Sequence, residues 1–188
     1  MKLRAFLAFD LPEFVQTRLA ALVHDLRSYD DAVRWTEPGK FHVTVAFLGS
    51  VDETTLLGPV SNCIAALTTA TKPVALECQG IGVFPNWKYP RVIWAGFSGE
   101  TEPLMQLHEH LAAVLPEFGI ANDDRAFRLH LTLGRAKALK GASPLVKRVE
   151  SLGPVSFGEA TIDQLILYKS QLTKAGPIYT PLTAFPLG

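Results

Sequence analysis

His42-Val43-Thr44-Val45 returns in the second half of the chain as His130-Leu131-Thr132-Leu133. Each copy alternates polar and apolar residues inside a β-prone apolar run, Phe41 to Leu48 in the first case and Leu129 to Leu133 in the second. Alternation with a period of two marks a strand. His and Thr then share one face, about 7 Å apart along the strand, while Val or Leu shares the other. Two such strands side by side would gather two imidazoles and two hydroxyls around one point.

The surroundings of the two copies repeat as well. Leu3 to Phe9 reads as a buried strand. Asp10 and Glu13 have the spacing of a capping box for a helix over residues 12 to 27, with Val15, Leu19, Leu22, Val23 and Leu26 on its inner face. Before the second copy, Arg91 to Phe97 reads as a strand. Leu104, Leu107, Leu111, Val114 and Leu115 then mark a helix ended by Pro116 and the Gly119 region. The first copy is preceded by a short strand at Val33 to Thr36 and is expected to end at Gly49. A helix begins at Asp52, irregular at Gly58-Pro59 because proline removes a donor there. Pro73 to Val83 is a strand, joined to Arg91 by the aromatic and basic loop Phe84 to Pro90. A helix from Ser143-Pro144 through Val149 and strands near 154–157, 161–168 and 178–185 complete the chain.

Each half therefore runs strand, helix, His-x-Thr strand, helix, strands. This predicts an α+β fold with two pseudo-twofold-related lobes, each a mostly antiparallel sheet with outer helices, around a central groove. The chain is expected to form a single domain over 1–188 with an internal duplication, roughly 1–88 and 89–188.

Composition limits the partners. Across 188 residues, 48% are hydrophobic and 19% charged, and 18 basic side chains balance 18 acidic ones. Without a global basic field, any nucleic-acid contact must be local and short. Cys63 and Cys78 lack metal-ligand spacing and read as buried thiols in a reducing cytosol. The apolar opening run is too short for a signal peptide or a membrane span. A soluble, cytoplasmic monomer without membrane contact is expected.

Two histidines across a groove form an acid/base pair near neutral pH, since each has an ordinary pKa close to 6.5. The threonine hydroxyls could donate to the non-bridging oxygens of a phosphodiester. Arg135, three residues past Thr132, offers a planar fork suited to phosphate, and Lys137 follows. Phe47 holds the corresponding place in the first copy, so the site is asymmetric. No metal is expected: neither motif carries a neighbouring acid, and zinc wants three or four ligands. His24, His108 and His110 read as surface helix residues. No Gly-x-Ser-x-Gly elbow or Gly-rich phosphate loop is present.

With these motifs the chain resembles the RNA 2',3'-cyclic phosphodiesterases, also called 2'-5' RNA ligases, of the 2H phosphoesterase superfamily. The resemblance is carried by His42-Val-Thr-Val-Ala-Phe-Leu-Gly and His130-Leu-Thr-Leu-Gly-Arg. It extends to Phe-Leu-Ala-Phe-Asp-Leu-Pro at the start, Arg34-Trp35, Pro90-Arg91-Val-Ile-Trp94 and Leu167-Tyr168-Lys-Ser170. Leu129 departs from it, where relatives often have Pro. The resemblance implies hydrolysis of a terminal 2',3'-cyclic phosphate on RNA to a 2'-phosphate, without metal or nucleotide cofactor. It casts His42 as proton donor to the leaving 3' oxygen and His130 as the base that activates water. Thr44, Thr132 and Arg135 would hold the phosphate. The expected partners are RNA 3' ends or short oligonucleotides with a 2',3'-cyclic phosphate, and the reverse reaction would form a 2'-5' linkage.

Two other readings stand beside it: a phosphodiesterase for small cyclic nucleotides or ADP-ribose cyclic phosphate, and a non-catalytic nucleotide-binding module. Arg34, Lys40, Lys88, Arg91, Arg125, Arg128, Arg135 and Lys137 favour RNA ends if they line the groove.

Overall fold

The computed structural model describes residues 1–29, 33–121, 126–137, 139–174 and 176–188. Its first strand, β1 (Lys2–Asp10), is followed by α1 (Glu13–Arg27), β2 (Val33–Trp35) and β3 (His42–Asp52). A short helix α2 (Glu53–Thr55), one π-helical turn (Leu56–Val60) and α3 (Ser61–Thr69) come next, then β4 (Val74–Phe84) and β5 (Val92–Gly99). The second half continues with α4 (Glu102–Val114), a 3-10 turn (Leu115–Phe118), β6 (His130–Ala136), α5 (Pro144–Ser151), β7 (Ser156–Ile162), β8 (Gln164–Thr173) and β9 (Gly176–Pro186).

Local chemistry accounts for most of these boundaries. Val15, Leu19, Val23 and Leu26 bury one face of α1. The Asp52 carboxylate accepts from the Thr54 backbone N–H and starts α2, while the Ser143 hydroxyl accepts from the Val146 N–H and starts α5. The irregularity at Gly58-Pro59 is the π-helical turn itself, with Pro59 inside it. Gly119 ends the helical segment after α4 in the left-handed conformation, at φ 73°.

Three boundaries differ from expectation. Asp10 does not cap α1: Pro12 occupies the N-cap with no side-chain bond, and β1 runs on through Asp10, whose carboxylate accepts from the Tyr168 hydroxyl at 2.7 Å. β3 continues past Gly49 to Asp52. The apolar run 161–168 is divided between two antiparallel strands, with Thr161 and Ile162 ending β7 and Gln164 opening β8.

The strands form two antiparallel sheets, ordered β3-β1-β8-β9 and β2-β6-β5-β4-β7. Neither sheet comes from one half of the chain alone. β4 leaves the first half to pair with β5, and β8 leaves the second half to pair with β1. The matching inner order, β3-β1-β8 against β6-β5-β4, reproduces the pseudo-twofold relation, with β2 and β4 of the first half in one sheet and β8 and β9 of the second half in the other. One continuous apolar cluster includes Leu7 and Phe9 of β1, Val43 and Val45 of β3, and Leu131 and Leu133 of β6. Those residues occupy the alternate positions, so His42, Thr44, His130 and Thr132 lie on the faces turned away from the core.

Candidate active site

β3 and β6 are neighbours where the two sheets meet, and this brings the two His-x-Thr faces to one groove. The chain between β2 and β3 is fastened there as well. The Thr36 N–H donates to the Leu133 carbonyl at 2.8 Å, and the Thr36 hydroxyl donates to the Thr132 carbonyl at 2.8 Å.

Each histidine is held in the same way. Nδ1 of His42 lies 2.8 Å from the Lys40 carbonyl, and Nδ1 of His130 lies 2.6 Å from the Arg128 carbonyl. A carbonyl only accepts, so Nδ1 carries the proton in both rings. Nε2 is then the atom that gains or loses a proton in each. Aromatic rings fix the imidazole planes. Phe6 stands 5.0 Å from the His42 ring and Tyr179 meets it edge-on at 5.2 Å. Phe84 meets His130 edge-on at 5.0 Å and Trp94 stands 6.4 Å away. Behind His42, Phe6 stacks on Tyr168 at 5.3 Å; behind His130, Phe84 stacks on Trp94 at 5.0 Å. Two strands that match across the pseudo-twofold therefore place a stacked aromatic pair behind each imidazole.

The strand partners of the two histidines differ. Burial lowers the proton affinity of His42, and the nearby Arg135 guanidinium lowers it further; the Lys40 carbonyl and the Asp10 carboxylate oppose this, leaving a net reduction from 6.5. Asp10 is the residue directly opposite His42 on β1. The residue opposite His130 on β5 is Gly96. Burial and the bond to Asp10 raise the Tyr168 hydroxyl pKa, so it acts as a donor at neutral pH.

Arg135 reaches the face that carries His130 and Thr132 through an irregularity in β6. Strict alternation would place a residue three past Thr132 on the core side. Trp94 of β5 pairs with Thr132 and Ile93 pairs with Gly134, so Leu133 is an extra residue in β6, a β-bulge. After the bulge, Gly134 lies on the core side and Arg135 on the groove side, paired with Val92. β3 has the same device: Leu7 pairs with Ala46 and Ala8 with Thr44, leaving Val45 as the bulge and Phe47 beside Phe6. Phe47 is exposed on the groove face.

The remaining candidates are dispersed. Arg34 pairs with Arg135 on the groove side. The Arg128 guanidinium lies 5.8 Å over the Phe84 ring. Lys88, Arg91 and Lys137 are exposed, and Arg125 lies outside the described residues. His24 and His110 are exposed, as expected. His108 is not a surface residue of that kind: its Nδ1 lies 2.9 Å from the Val45 carbonyl and its ring stacks on Phe127 at 4.0 Å. It ties α4 to the outer edge of β3 at the bulge. Among the described residues, no three His, Cys, Asp or Glu side chains are grouped to hold a metal, and no helix is long and apolar enough to cross a membrane.

Residues 15–174 match the family model of the 2'-5' RNA ligase superfamily. A protein of Methanothermobacter thermautotrophicus named RNA 2',3'-cyclic phosphodiesterase is 34% identical over 187 residues, covering 100% of both chains. One of the same name from Thermus thermophilus is 32% identical, covering 98% of this chain and 90% of its own. Among solved structures, TT0787 of Thermus thermophilus superposes with a TM-score of 0.80 at 31% identity, covering 98% of this chain and 97% of that one. Escherichia coli LigT, solved with 3'-AMP, shares the fold at a TM-score of 0.75 and 23% identity, covering 100% and 99%.

Proposed function

The chain belongs to the 2'-5' RNA ligase superfamily, and from that premise we propose that it hydrolyses the 2',3'-cyclic phosphate at an RNA 3' end to a 2'-phosphate. The observation that carries this reading is the paired orientation of the imidazoles. Both hold Nδ1–H on a backbone carbonyl, which makes Nε2 the nitrogen that can take up or give a proton. His130 takes a proton from water as its oxygen forms the new bond to phosphorus. His42 gives its Nε2 proton to the 3' oxygen as that P–O bond breaks, so the protons balance over one turnover. The lowered proton affinity of His42 makes it a readier donor to the departing oxygen and leaves a smaller protonated fraction. Thr44 and Thr132 donate to the non-bridging oxygens, and Arg135 offsets charge that develops on them.

Neither proton transfer requires a metal or a nucleotide cofactor. With a 5'-hydroxyl in the place of water, the same groups would join it to phosphorus as the P–O bond to the 3' oxygen breaks, forming a 2'-5' linkage. Water outcompetes that acceptor because a nearly neutral surface gives little hold on a second RNA end.

The test is product identity. An RNA ending in a 2',3'-cyclic phosphate should yield a terminal 2'-phosphate and no 3'-phosphate. Turnover of nucleoside cyclic phosphates alone, with RNA ends left intact, would move the reading to a small-molecule phosphodiesterase.

A further inference from the structure

Arg34 and Arg135 face each other directly across the β2–β6 ladder, and both side chains are exposed on the groove side. Their neighbours fix that side: Val33 and Trp35 flank Arg34 and are buried in the core, while Val92, opposite Arg135, pairs with Phe84 of the His130 wall. Directly opposed strand residues have Cβ atoms about 5 Å apart, and like charges so placed are destabilising. Natural pairs of this kind are normally relieved by a carboxylate. Among the described residues neither arginine has an ion-paired acid: Glu37, on the chain leading from β2 to β3, is bound to Arg27 at 3.3 Å. Two arginines therefore stand opposite each other on the groove side, uncompensated by any described carboxylate.

A cyclic phosphate carries one negative charge, already met by two histidines, two hydroxyls and Arg135. The second fork exceeds what that group needs. We infer that Arg34, with Arg135, forms a subsite for a backbone phosphodiester of the RNA, one internucleotide phosphate on the 5' side of the cyclic end. This rests on the hydrolytic reading above and deepens it. The scissile group is recognised in the groove, and Arg34 adds recognition of a polynucleotide. A phosphate beside Arg34 relieves the repulsion between the arginines, and the Arg34 fork can bind it through two parallel hydrogen bonds while Arg135 stays on the cyclic phosphate. A mononucleoside cyclic phosphate has no such phosphate and gains nothing from Arg34.

The experiment compares Arg34→Gln and Arg34→Lys with the wild type on a short RNA ending in a 2',3'-cyclic phosphate and on the corresponding nucleoside cyclic phosphate. Arg34→Gln should lower the ratio of kcat/KM values, RNA over nucleoside, by roughly five- to tenfold, mainly through KM. It should also reduce the salt dependence of RNA binding by about one phosphate contact. Arg34→Lys should restore the salt dependence and only part of the ratio, since the charge returns without the fork. The Tm of Arg34→Gln should stay level or rise, because a repulsion is removed. An equal loss on both substrates, or no loss on either, would overturn the subsite. If the wild type hydrolyses neither substrate, the hydrolytic reading fails. Fluorescence anisotropy of a labelled RNA ending in a phosphate then decides the subsite separately: weaker, less salt-dependent binding by Arg34→Gln upholds it, and unchanged binding refutes it.

Discussion

Gly82→Ala tests the wall behind His130. Gly82 pairs directly with Trp94 across the β4–β5 ladder, and the indole lies flat over it. A Cβ built at Gly82 would stand 2.6 Å from Cε2 of Trp94, and closer to two further ring atoms, where ordinary contact begins at 3.4 Å. One methyl group therefore requires the indole to retreat by about 1 Å. Trp94 stacks on Phe84 at 5.0 Å, and both rings border His130, so the retreat disturbs the imidazole's seat. Overpacking of this kind costs about 1–3 kcal/mol. For a chain of this length that is a fall in Tm of roughly 2–12 °C. A misplacement on the order of 1 Å at a reacting group can cost about a hundredfold in rate. The Arg128 carbonyl still holds Nδ1 of His130, so a loss of roughly tenfold in kcat is expected. Thermal unfolding and hydrolysis of a cyclic phosphate read the two effects. Trp94→Phe, which shortens the ring, should recover part of both losses in the Gly82→Ala background, a positive coupling in a double-mutant cycle. Wild-type Tm and kcat in Gly82→Ala, or additive losses in the double variant, would refute this packing.

Other consequences follow from the same contacts. His108→Ala removes the bond to the Val45 carbonyl and the stack on Phe127, and should cost about 1–2 kcal/mol in urea unfolding; an unchanged midpoint would remove His108 from the support of β3. Because the folded pKa of His42 lies below 6.5, the unfolded chain binds more protons below that pH. The associated stability is fully present above about pH 6.5 and is lost as pH falls through the folded value. Wild type should therefore lose stability relative to His42→Asn on acidification, and parallel Tm curves would contradict the burial of that ring. Asp10→Asn withdraws the one carboxylate that favours the charged form of His42. Its rate should fall roughly threefold more on the alkaline side of the pH profile than on the acid side, whereas a uniform loss would mean that Asp10 acts only through the Tyr168 bond.

The faces of the two His-x-Thr strands are legible because alternation survives in both motifs: Val43, Leu131 and Leu133 are buried where the pattern places them, and the imidazoles and hydroxyls lie opposite. Arg135 was identified as a candidate, but the reason it shares their face was not in the pattern. The bulges at Val45 and Leu133 reset the alternation, and an extra apolar residue in an apolar strand leaves no mark in sequence. Asp10 looked like a cap because its spacing to Glu13 is right, yet a tertiary bond to Tyr168 competes for the carboxylate and the helix starts two residues later. The β7–β8 turn at Asp163 lacks the Gly or Pro that usually announces one, so 161–168 read as a single strand. The exchange of β4 and β8 between sheets depends on long-range pairing, which local periodicity does not encode. Phe6, Tyr168 and Tyr179 were missed as site residues for a related reason: aromatic residues on strands look like core, and only the register shows which face they take. The strand assignments behind the tight Trp94–Gly82 contact gave no hint of it either.

In the proposed reaction two histidines carry out the proton transfers without a metal. The direct measurement is hydrolysis of an RNA ending in a 2',3'-cyclic phosphate, in EDTA, by wild type, His42→Ala and His130→Ala, with Thr44→Ala and Thr132→Ala alongside. Full wild-type turnover to a 2'-phosphate, lost in both histidine variants and reduced far less in the threonine variants, is the predicted result. Turnover that disappears in EDTA, or that survives the loss of either histidine, would contradict the account.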